Sequence, residues 1–111
     1  LLIMFQPHGF SPMRLMGKEI IRSFAHYMDK NDILLIPEIF FAGGTVKKDI
    51  SSQDLVAEAR RLNCNALFFP TRDELKQHLL QIARPKDRIV LMGARDNSIT
   101  DLGYNLLENL K

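Results

Sequence analysis

The opening stretch, residues 1–16, constrains the fold more than any other part of the sequence. It begins with an apolar run, Leu1 to Phe5, which is too short for a helix and has no polar alternation. Such a run is typical of a strand that is buried on both faces in the middle of a parallel sheet. The next four residues read QPHG, in which proline ends regular pairing and glycine permits a turn. The chain therefore opens with a strand and a polar loop.

A helix is predicted directly after this loop. Ser11 can accept a hydrogen bond from a free amide of the first helical turn, and the nitrogen of Pro12 needs no helical partner there. Ser11 is therefore expected to cap the helix. Apolar residues then recur at steps of three and four, which predicts an inward-facing stripe on about four helical turns, consisting of Met13, Met16, Ile20, Phe24 and Met28.

The order of strand, loop and helix recurs three more times. Strands are predicted over 33–41, 66–70 and 88–93, and helices begin near Ser51, Thr71 and Ser98, each with an acidic residue three positions later as in a capping box. The crossovers are long enough for parallel pairing. We expect a three-layer, Rossmann-like α/β domain with a mostly parallel sheet of about four strands and helices on both faces. The predicted strand order is 3-2-1-4, which places the opening strand at the point where the order reverses.

Composition excludes several classes of protein. A length of 111 residues with 46% hydrophobic content suits one domain with one core. The 15 basic and 13 acidic residues are spread along the chain, so neither a nucleic-acid-binding nor a membrane-binding surface is indicated. No apolar run is long enough to span a membrane, and no basic segment precedes the opening leucines as in a signal peptide.

The single cysteine points to a reducing compartment. Cys64 cannot form an internal disulfide, and no cluster of cysteine and histidine has the spacing of a metal site. A cytoplasmic location is therefore expected, with Cys64 packed at the start of the third strand rather than reactive. Because the chain begins inside a buried strand and without methionine, we also expect it to be a fragment of a longer polypeptide.

Ligands of such a sheet bind where the loops at the carboxyl ends of the strands converge. The loops expected there span residues 6–11, 38–48 and 93–98, and they include the candidate ligand-binding residues His8, Ser11 and Asp96. Each candidate has a structural alternative: His8 can satisfy local backbone groups, and Asp96 can cap the last helix. Neither phosphate-binding glycine motif, GxxxxGK[ST] or GxGxxG, is present, and no catalytic triad or metal site is indicated.

Four segments of the chain carry motifs of one known family. Residues 5–11 are similar to the segment FQPHRYSRT, and residues 38–43 to D-I-Y-P-A-G/R. Residues 50–55 are similar to I-S-S-E-D-L, and residues 93–96 to G-A-G-D/N. On these segments the chain resembles the C-terminal domain of the Mur ligase family, and within it the ligases that attach the first amino acid. The segments follow the order of the family and cover nearly the whole chain. The tripeptide QPH is fairly specific, whereas the others carry weight only together.

The resemblance implies part of an ATP-dependent ligase of peptidoglycan synthesis. In that family ATP phosphorylates the carboxylate of UDP-N-acetylmuramate, and the amino group of an amino acid attacks the acyl phosphate in the presence of Mg²⁺. One domain holds the UDP-sugar, a central domain carries the P-loop, and the C-terminal domain closes over the site and holds the amino acid. Residues 1–111 correspond to the last domain, so ATP and Mg²⁺ are expected mainly on an upstream ATPase domain, and the fragment alone is expected to be inactive.

The departures from the family concern the site for the amino acid. Two family arginines implicated in binding its carboxylate correspond here to Gly9 and Pro12, which cannot make that contact. Arg14 aligns with a basic position and is a candidate for it, although a solvated surface arginine is the alternative. Arg95 adds bulk and charge where the family has glycine. These changes favour a paralogue with another amine substrate or a degenerate enzyme.

Two other functions are compatible with the sequence. One is a free-standing, Rossmann-like module that binds a small ligand without catalysis. The other is a domain kept for contacts with proteins after the loss of substrate binding. An active ligase would differ from both in requiring an upstream GxxxxGK[ST] motif.

Overall fold

The structure, a computed structural model, describes residues 1–7, 10–38, 51–93 and 97–110, without the side chains of residues 10–15 and 97–98. Four strands and four helices alternate along these residues: β1 (Leu2–Gln6), α1 (Phe10–Tyr27), β2 (Ile33–Pro37), α2 (Ser52–Arg61), β3 (Ala66–Phe69), α3 (Arg72–Ile82), β4 (Ile89–Gly93) and α4 (Asn97–Leu110). Within the described ranges, no helix is both long enough and apolar enough to cross a membrane.

The four strands form one parallel sheet in the order β3-β2-β1-β4. This order confirms the predicted topology, and every residue of β1 is buried, as the opening apolar run predicts. β1 pairs with β2 on one side and with β4 on the other, so its backbone groups are satisfied on both sides. A strand in this position cannot shift without disturbing both neighbours.

Two hydrophobic clusters lie on opposite faces of the sheet, which gives the predicted three layers. Alternate residues of β1 divide between them, since Ile3 and Phe5 pack with α1 and α2, whereas Leu2 and Met4 pack with α3 and α4. The two-residue period of a strand explains this division. Met4 is completely buried because helices cover both faces of the sheet.

Among the side chains that the structure describes on α1, the inward-facing stripe differs from its prediction at Met16; Met13 lies outside them. Met16 is 52% exposed, whereas Ile21, which the predicted stripe omits, is completely buried. Ile20, Phe24 and Met28 do pack against the cluster on this face. The prediction for Met16 was wrong because the buried face is rotated toward Ile21, and the flexible methionine side chain remains at its margin.

Helix starts were predicted correctly at two positions and displaced at two. The Oγ of Thr71 accepts a hydrogen bond from the backbone N–H of Glu74, and the carboxylate of Asp54 accepts one from the backbone N–H of Ser51. In contrast, α1 begins at Phe10 and α4 at Asn97, so the backbones of Ser11 and Ser98 lie inside the first helical turn. The prediction that Ser11 caps α1 was therefore wrong, and Pro12 is tolerated inside the first turn because the first amide nitrogens of a helix have no helical partner.

Candidate functional site

The carboxyl ends of the strands meet at one edge of the sheet, which we call the carboxyl edge. In the pairing of β1 with β4, Gln6 lies opposite Gly93, and in the pairing of β2 with β3, Pro37 lies opposite Phe69. The sequence-based prediction that the end of β1 and Gly93 share one edge is thus confirmed. Polar groups from three further elements gather around Gln6, the last residue of β1.

Gln6 lies at the centre of this polar cluster. Its side-chain Nε2 donates to the backbone carbonyls of Pro7 and Glu38, in both cases at 3.0 Å. Its Oε1 accepts a hydrogen bond from Nε of Arg72 at 2.8 Å. Only 2% of Gln6 is exposed. Because two acceptors surround one end of the amide and a donor meets the other, the neighbours determine its orientation.

The N-terminus of α2 is tied to the end of β2. The Oγ of Ser52, which is completely buried, donates to the carbonyl of Pro37, and the N–H of Ser52 donates to Oε1 of Glu38 at 3.1 Å. The carboxylate of Glu38 therefore accepts a hydrogen bond from one of the first amides of the helix, which have no helical partner. The helix dipole favours negative charge at this position. The residue is otherwise exposed to solvent.

This arrangement bears on whether ATP phosphates fit the described residues. A phosphate bound at a helix N-terminus needs free backbone N–H groups. At α2 the N–H of Ser52 is already paired with Glu38. Among the described residues, moreover, no group of three His, Cys, Asp or Glu side chains is arranged to hold a metal ion. One of the amides that a phosphate would need at the start of α2 is therefore already in use.

Gly93 closes the carboxyl edge on the side of β4. Its φ of +126° belongs to a region that side chains other than glycine rarely adopt. A Cβ at this position would lie 2.2 Å from the carbonyl oxygen of Gln6. The ends of β1 and β4 can therefore approach this closely only because residue 93 is glycine.

The structure does not test the predicted binding residues. His8, Arg95 and Asp96 lie outside the described residues. Ser11 and Arg14 lie on α1, but their side chains are outside the described part. The segment 39–50, with its paired glycines and lysines, is also outside it. All five candidates therefore remain predictions.

The cluster contains two residues that the sequence analysis missed, Ser52 and Arg72. Both stand at the first position of a helix that follows a strand, so the topology alone brings them to the carboxyl edge. That position is the signal by which they could have been found. What the sequence does not reveal is the partner of Arg72, because Gln6 is 66 residues away along the chain.

Two grooves on the described surface are lined in part by β4 and not by the polar cluster around Gln6. One, of about 490 Å³, runs between β4 and α4 and is lined by residues that include Ile89, Leu91 and Leu107. The other, of about 460 Å³, lies on the opposite face between α1 and the strands β1 and β4. Their linings are mainly apolar and lack the convergent polar groups of the cluster around Gln6. We therefore place the candidate site at the carboxyl edge, because the polar groups converge there.

The described part contains two histidines and the single cysteine, and none of them has a hydrogen bond to Gln6. His26 is exposed on α1, and His78 is half-buried on α3, with its ring 5.3 Å from that of Phe69. Cys64 is 9% exposed, and its Sγ lies 3.7 Å from the sulfur of Met28. The prediction that Cys64 packs just before the third strand is confirmed.

Cys64 is expected to resist thiol reagents in the folded protein. Burial raises the pKa of its thiol, and the carboxylate of Asp32 raises it further, so the reactive thiolate is disfavoured. The folded state thus favours the neutral thiol, and this contribution to stability is present below the ordinary thiol pKa and lost as the pH rises through the raised value. Urea titrations at pH 7 and pH 10 on the wild type and Cys64→Ala measure it.

Comparing the wild type with Cys64→Ala separates the effect of the cysteine on stability from the effects of lysine and tyrosine, which also titrate near pH 10. Wild type is expected to lose more stability than Cys64→Ala between the two pH values. Labelling with a maleimide at pH 7 is expected to be slow in buffer and fast in urea. Equal labelling rates in both solvents would contradict the assignment of a buried, neutral thiol.

The fold and the carboxyl edge define a class of protein, namely a three-layer, Rossmann-like α/β domain with polar groups gathered where its parallel strands end. No model of a known protein family matches the chain. Individual proteins, however, are similar to it over nearly its whole length. The chain is 32% identical to the UDP-N-acetylmuramate–L-alanine ligase of Syntrophomonas wolfei subsp. wolfei over 109 residues, which are 98% of this chain and 22% of the relative.

Two further relatives carry the same description. The UDP-N-acetylmuramate–L-alanine ligase of Pelotomaculum thermopropionicum is 32% identical over 108 residues, 96% of this chain and 22% of its own. That of Geotalea uraniireducens is 30% identical over 112 residues, 100% of this chain and 23% of its own. The chain is thus homologous to ligases of the Mur family and resembles their C-terminal domain, as its motifs indicate. It spans between a fifth and a quarter of the length of these relatives.

Proposed function

We propose that the chain is the C-terminal domain of an ATP-dependent Mur ligase-like enzyme of peptidoglycan synthesis, a UDP-N-acetylmuramate–amino acid ligase. In this role the domain closes over the active site and binds the amino acid. The observation that supports the proposal most is the alignment of nearly the whole chain with UDP-N-acetylmuramate–L-alanine ligases, of which it matches about a fifth. That extent is the size of one domain of a larger enzyme.

The carboxyl edge supports the same proposal. A domain that completes a substrate site must present polar groups in fixed positions, since misplacement costs much of the rate. The amide of Gln6 connects the ends of β1 and β2 with the start of α3. This edge would face the substrates, together with the candidate residues His8, Ser11, Arg14, Arg95 and Asp96.

The remaining functions of the ligase would belong to the rest of the polypeptide. We infer that residues 1–111 form one domain of a longer cytoplasmic protein, and that an upstream ATPase domain with a GxxxxGK[ST] motif binds ATP and Mg²⁺. The partners would be UDP-N-acetylmuramate and an amino acid or another amine.

The test is an assay of the intact protein. Purified full-length enzyme is incubated with UDP-N-acetylmuramate, ATP, Mg²⁺ and a panel of amino acids and other amines, and release of inorganic phosphate is measured. We expect release that depends on both the UDP-sugar and one amine. The matched controls omit the UDP-sugar or the amine, and they measure hydrolysis of ATP that is not coupled to ligation.

Two results would overturn the proposal. An upstream reading frame without a P-loop motif would remove the ATPase that the ligase needs. An intact protein that releases no phosphate with any amine would favour the alternative, a Rossmann-like binding or interaction module without catalysis. Product analysis by mass spectrometry distinguishes true ligation from uncoupled hydrolysis.

A further inference from the structure

A groove of about 390 Å³ runs along the side of β3 that faces away from β2, which we call the outer edge of β3. In the described sheet β3 is the last strand on its side and pairs with β2. The walls of the groove come from α2 and α3, with Arg60 on the first and His78 on the second. Its floor includes Phe68 and Phe69.

The backbone of Phe68 faces the outer edge. The N–H of Leu34 on β2 donates to the carbonyl of Asn65, so that carbonyl faces β2. Since the backbone groups of successive strand residues point to opposite sides, those of Ala66 and Phe68 face away from β2. The carbonyl of Ala66 does so, because it accepts a hydrogen bond from Nε of Arg60 at 3.0 Å. The N–H and carbonyl of Phe68 thus lie where a further strand would pair.

Arg60 gives the groove a positive charge. The group that orients its guanidinium is a neutral carbonyl, and this contact uses one of five N–H donors. None of the described residues that line the groove is acidic. The next arginine on the helix differs, since Arg61 donates to both carboxylate oxygens of Glu58, at 3.0 and 2.6 Å. Of these two neighbouring arginines, only Arg60 lines the groove.

The floor of the groove is aromatic and half-buried. Phe68 and Phe69 both keep part of their surface exposed, and the ring of Phe69 lies 5.3 Å from that of His78. Aromatic side chains are enriched in the contact surfaces between proteins. An edge strand with such side chains can add an extended peptide, because main-chain hydrogen bonds provide affinity and adjacent side chains provide specificity.

We propose that the outer edge of β3 binds an extended, acidic peptide segment of a partner protein. The segment pairs with the backbone of Phe68 and places a carboxylate against the guanidinium of Arg60. The unpaired strand edge accounts for the extended conformation, and the positive charge of the groove accounts for the acidic residue. The inference goes beyond the ligase function and does not depend on it.

The experiment selects binders for the intact, full-length protein from a display library of random eight-residue peptides. Enriched peptides are synthesised, and their Kd is measured by isothermal calorimetry. We expect aspartate or glutamate to be enriched over the input library, and the affinity to fall about 10-fold or more in Arg60→Gln. The matched control is Arg61→Gln, which removes the same charge one residue away and is expected to change the affinity within about twofold.

Two changes to the peptide test each half of the contact in the wild-type protein, whatever the stability of the variants. Replacing its acidic residue by the corresponding amide is expected to weaken binding about 10-fold, with no further loss in Arg60→Gln. Methylating the backbone nitrogen that pairs with Phe68 is expected to weaken binding by a similar factor. Bound peptide is also expected to slow hydrogen exchange in residues 66–69, measured by mass spectrometry.

Three results would each overturn the inference. The first is a selection without enrichment of acidic peptides, and the second is equal affinity of the enriched peptides for the wild type and Arg60→Gln. The third is slower exchange only outside residues 66–69. Arg60 would then serve to cover the edge of the sheet against pairing with other chains. Binding that tolerates backbone methylation but requires the acidic residue would identify a site for anions and not for an added strand.

Discussion

Replacement of Gly93 by alanine is expected to lower the free energy of unfolding by about 3 kcal/mol or more. The new Cβ would lie 2.2 Å from the carbonyl oxygen of Gln6 and under 3 Å from two further backbone atoms of the same residue. The φ of +126° adds strain that a non-glycine residue cannot relieve. Overpacking and backbone strain each cost about 1 to 3 kcal/mol. The clash is with backbone, so no side-chain rotation removes it.

The second glycine of this region provides the matched control. At Gly103, in the middle of α4, an added Cβ would meet only a terminal methyl of Leu91, at 3.3 Å. Alanine is favoured over glycine in a helix by up to about 1 kcal/mol, so Gly103→Ala is expected to be neutral or slightly stabilising. Urea titrations followed by circular dichroism measure both variants. Equal effects of the two substitutions would contradict the close approach of β1 and β4.

The strand order was predictable because the first strand of the chain is an entirely apolar run, which indicates a central position in the sheet. A continuous apolar run followed by a proline and polar residues indicates a central strand with a loop at its carboxyl end. Once β1 is central, long parallel crossovers restrict the order of the other strands to a few possibilities. What the run does not reveal is the division of Ile3 and Met4 between two faces, since both faces are equally apolar.

The phase of the stripe on α1 was less predictable. Met16 and Ile21 both lie near its margin in a helical projection, and the pattern of three- and four-residue steps is compatible with either. Packing decides between them. Ile21 is completely buried in the same hydrophobic cluster as Phe5 and Ile36, whereas Met16 is 52% exposed. Composition and spacing carry no information on that choice.

The location of the candidate site was predictable, whereas none of the residues predicted to bind a ligand is tested by the structure. Gln6 follows from the end of the first strand, and the edge that it occupies follows from the parallel sheet. Arg72 and Ser52 were missed because their roles depend on contacts between distant parts of the chain. Arg72 contacts Gln6, and Ser52 contacts the carbonyl of Pro37. A local motif predicts where a helix starts, as it does at Thr71. Which side chain of the first turn lies in the site depends on tertiary contacts.

The largest expected effect within the polar cluster itself follows replacement of Gln6 by methionine. The two side chains have similar length, but methionine removes the amide that contacts Arg72 and the carbonyls of Pro7 and Glu38. Each buried polar group left without a partner costs about 1 to 3 kcal/mol. Because water can reach the half-buried Arg72, we expect a loss of about 2 to 4 kcal/mol in the free energy of unfolding.

Urea titration of Gln6→Met tests this expectation against Gln77→Met, an exposed position on α3 where a change within about 0.5 kcal/mol is expected. The double variant Gln6→Met/Arg72→Met adds a sharper test. If the two side chains form one unit, the double variant loses less stability than the sum of the single losses, because removing Arg72 also removes a donor that lacks its partner. Strictly additive losses would show that the hydrogen bond between Gln6 and Arg72 contributes nothing to the fold, and that Gln6 acts only through the backbone carbonyls of Pro7 and Glu38.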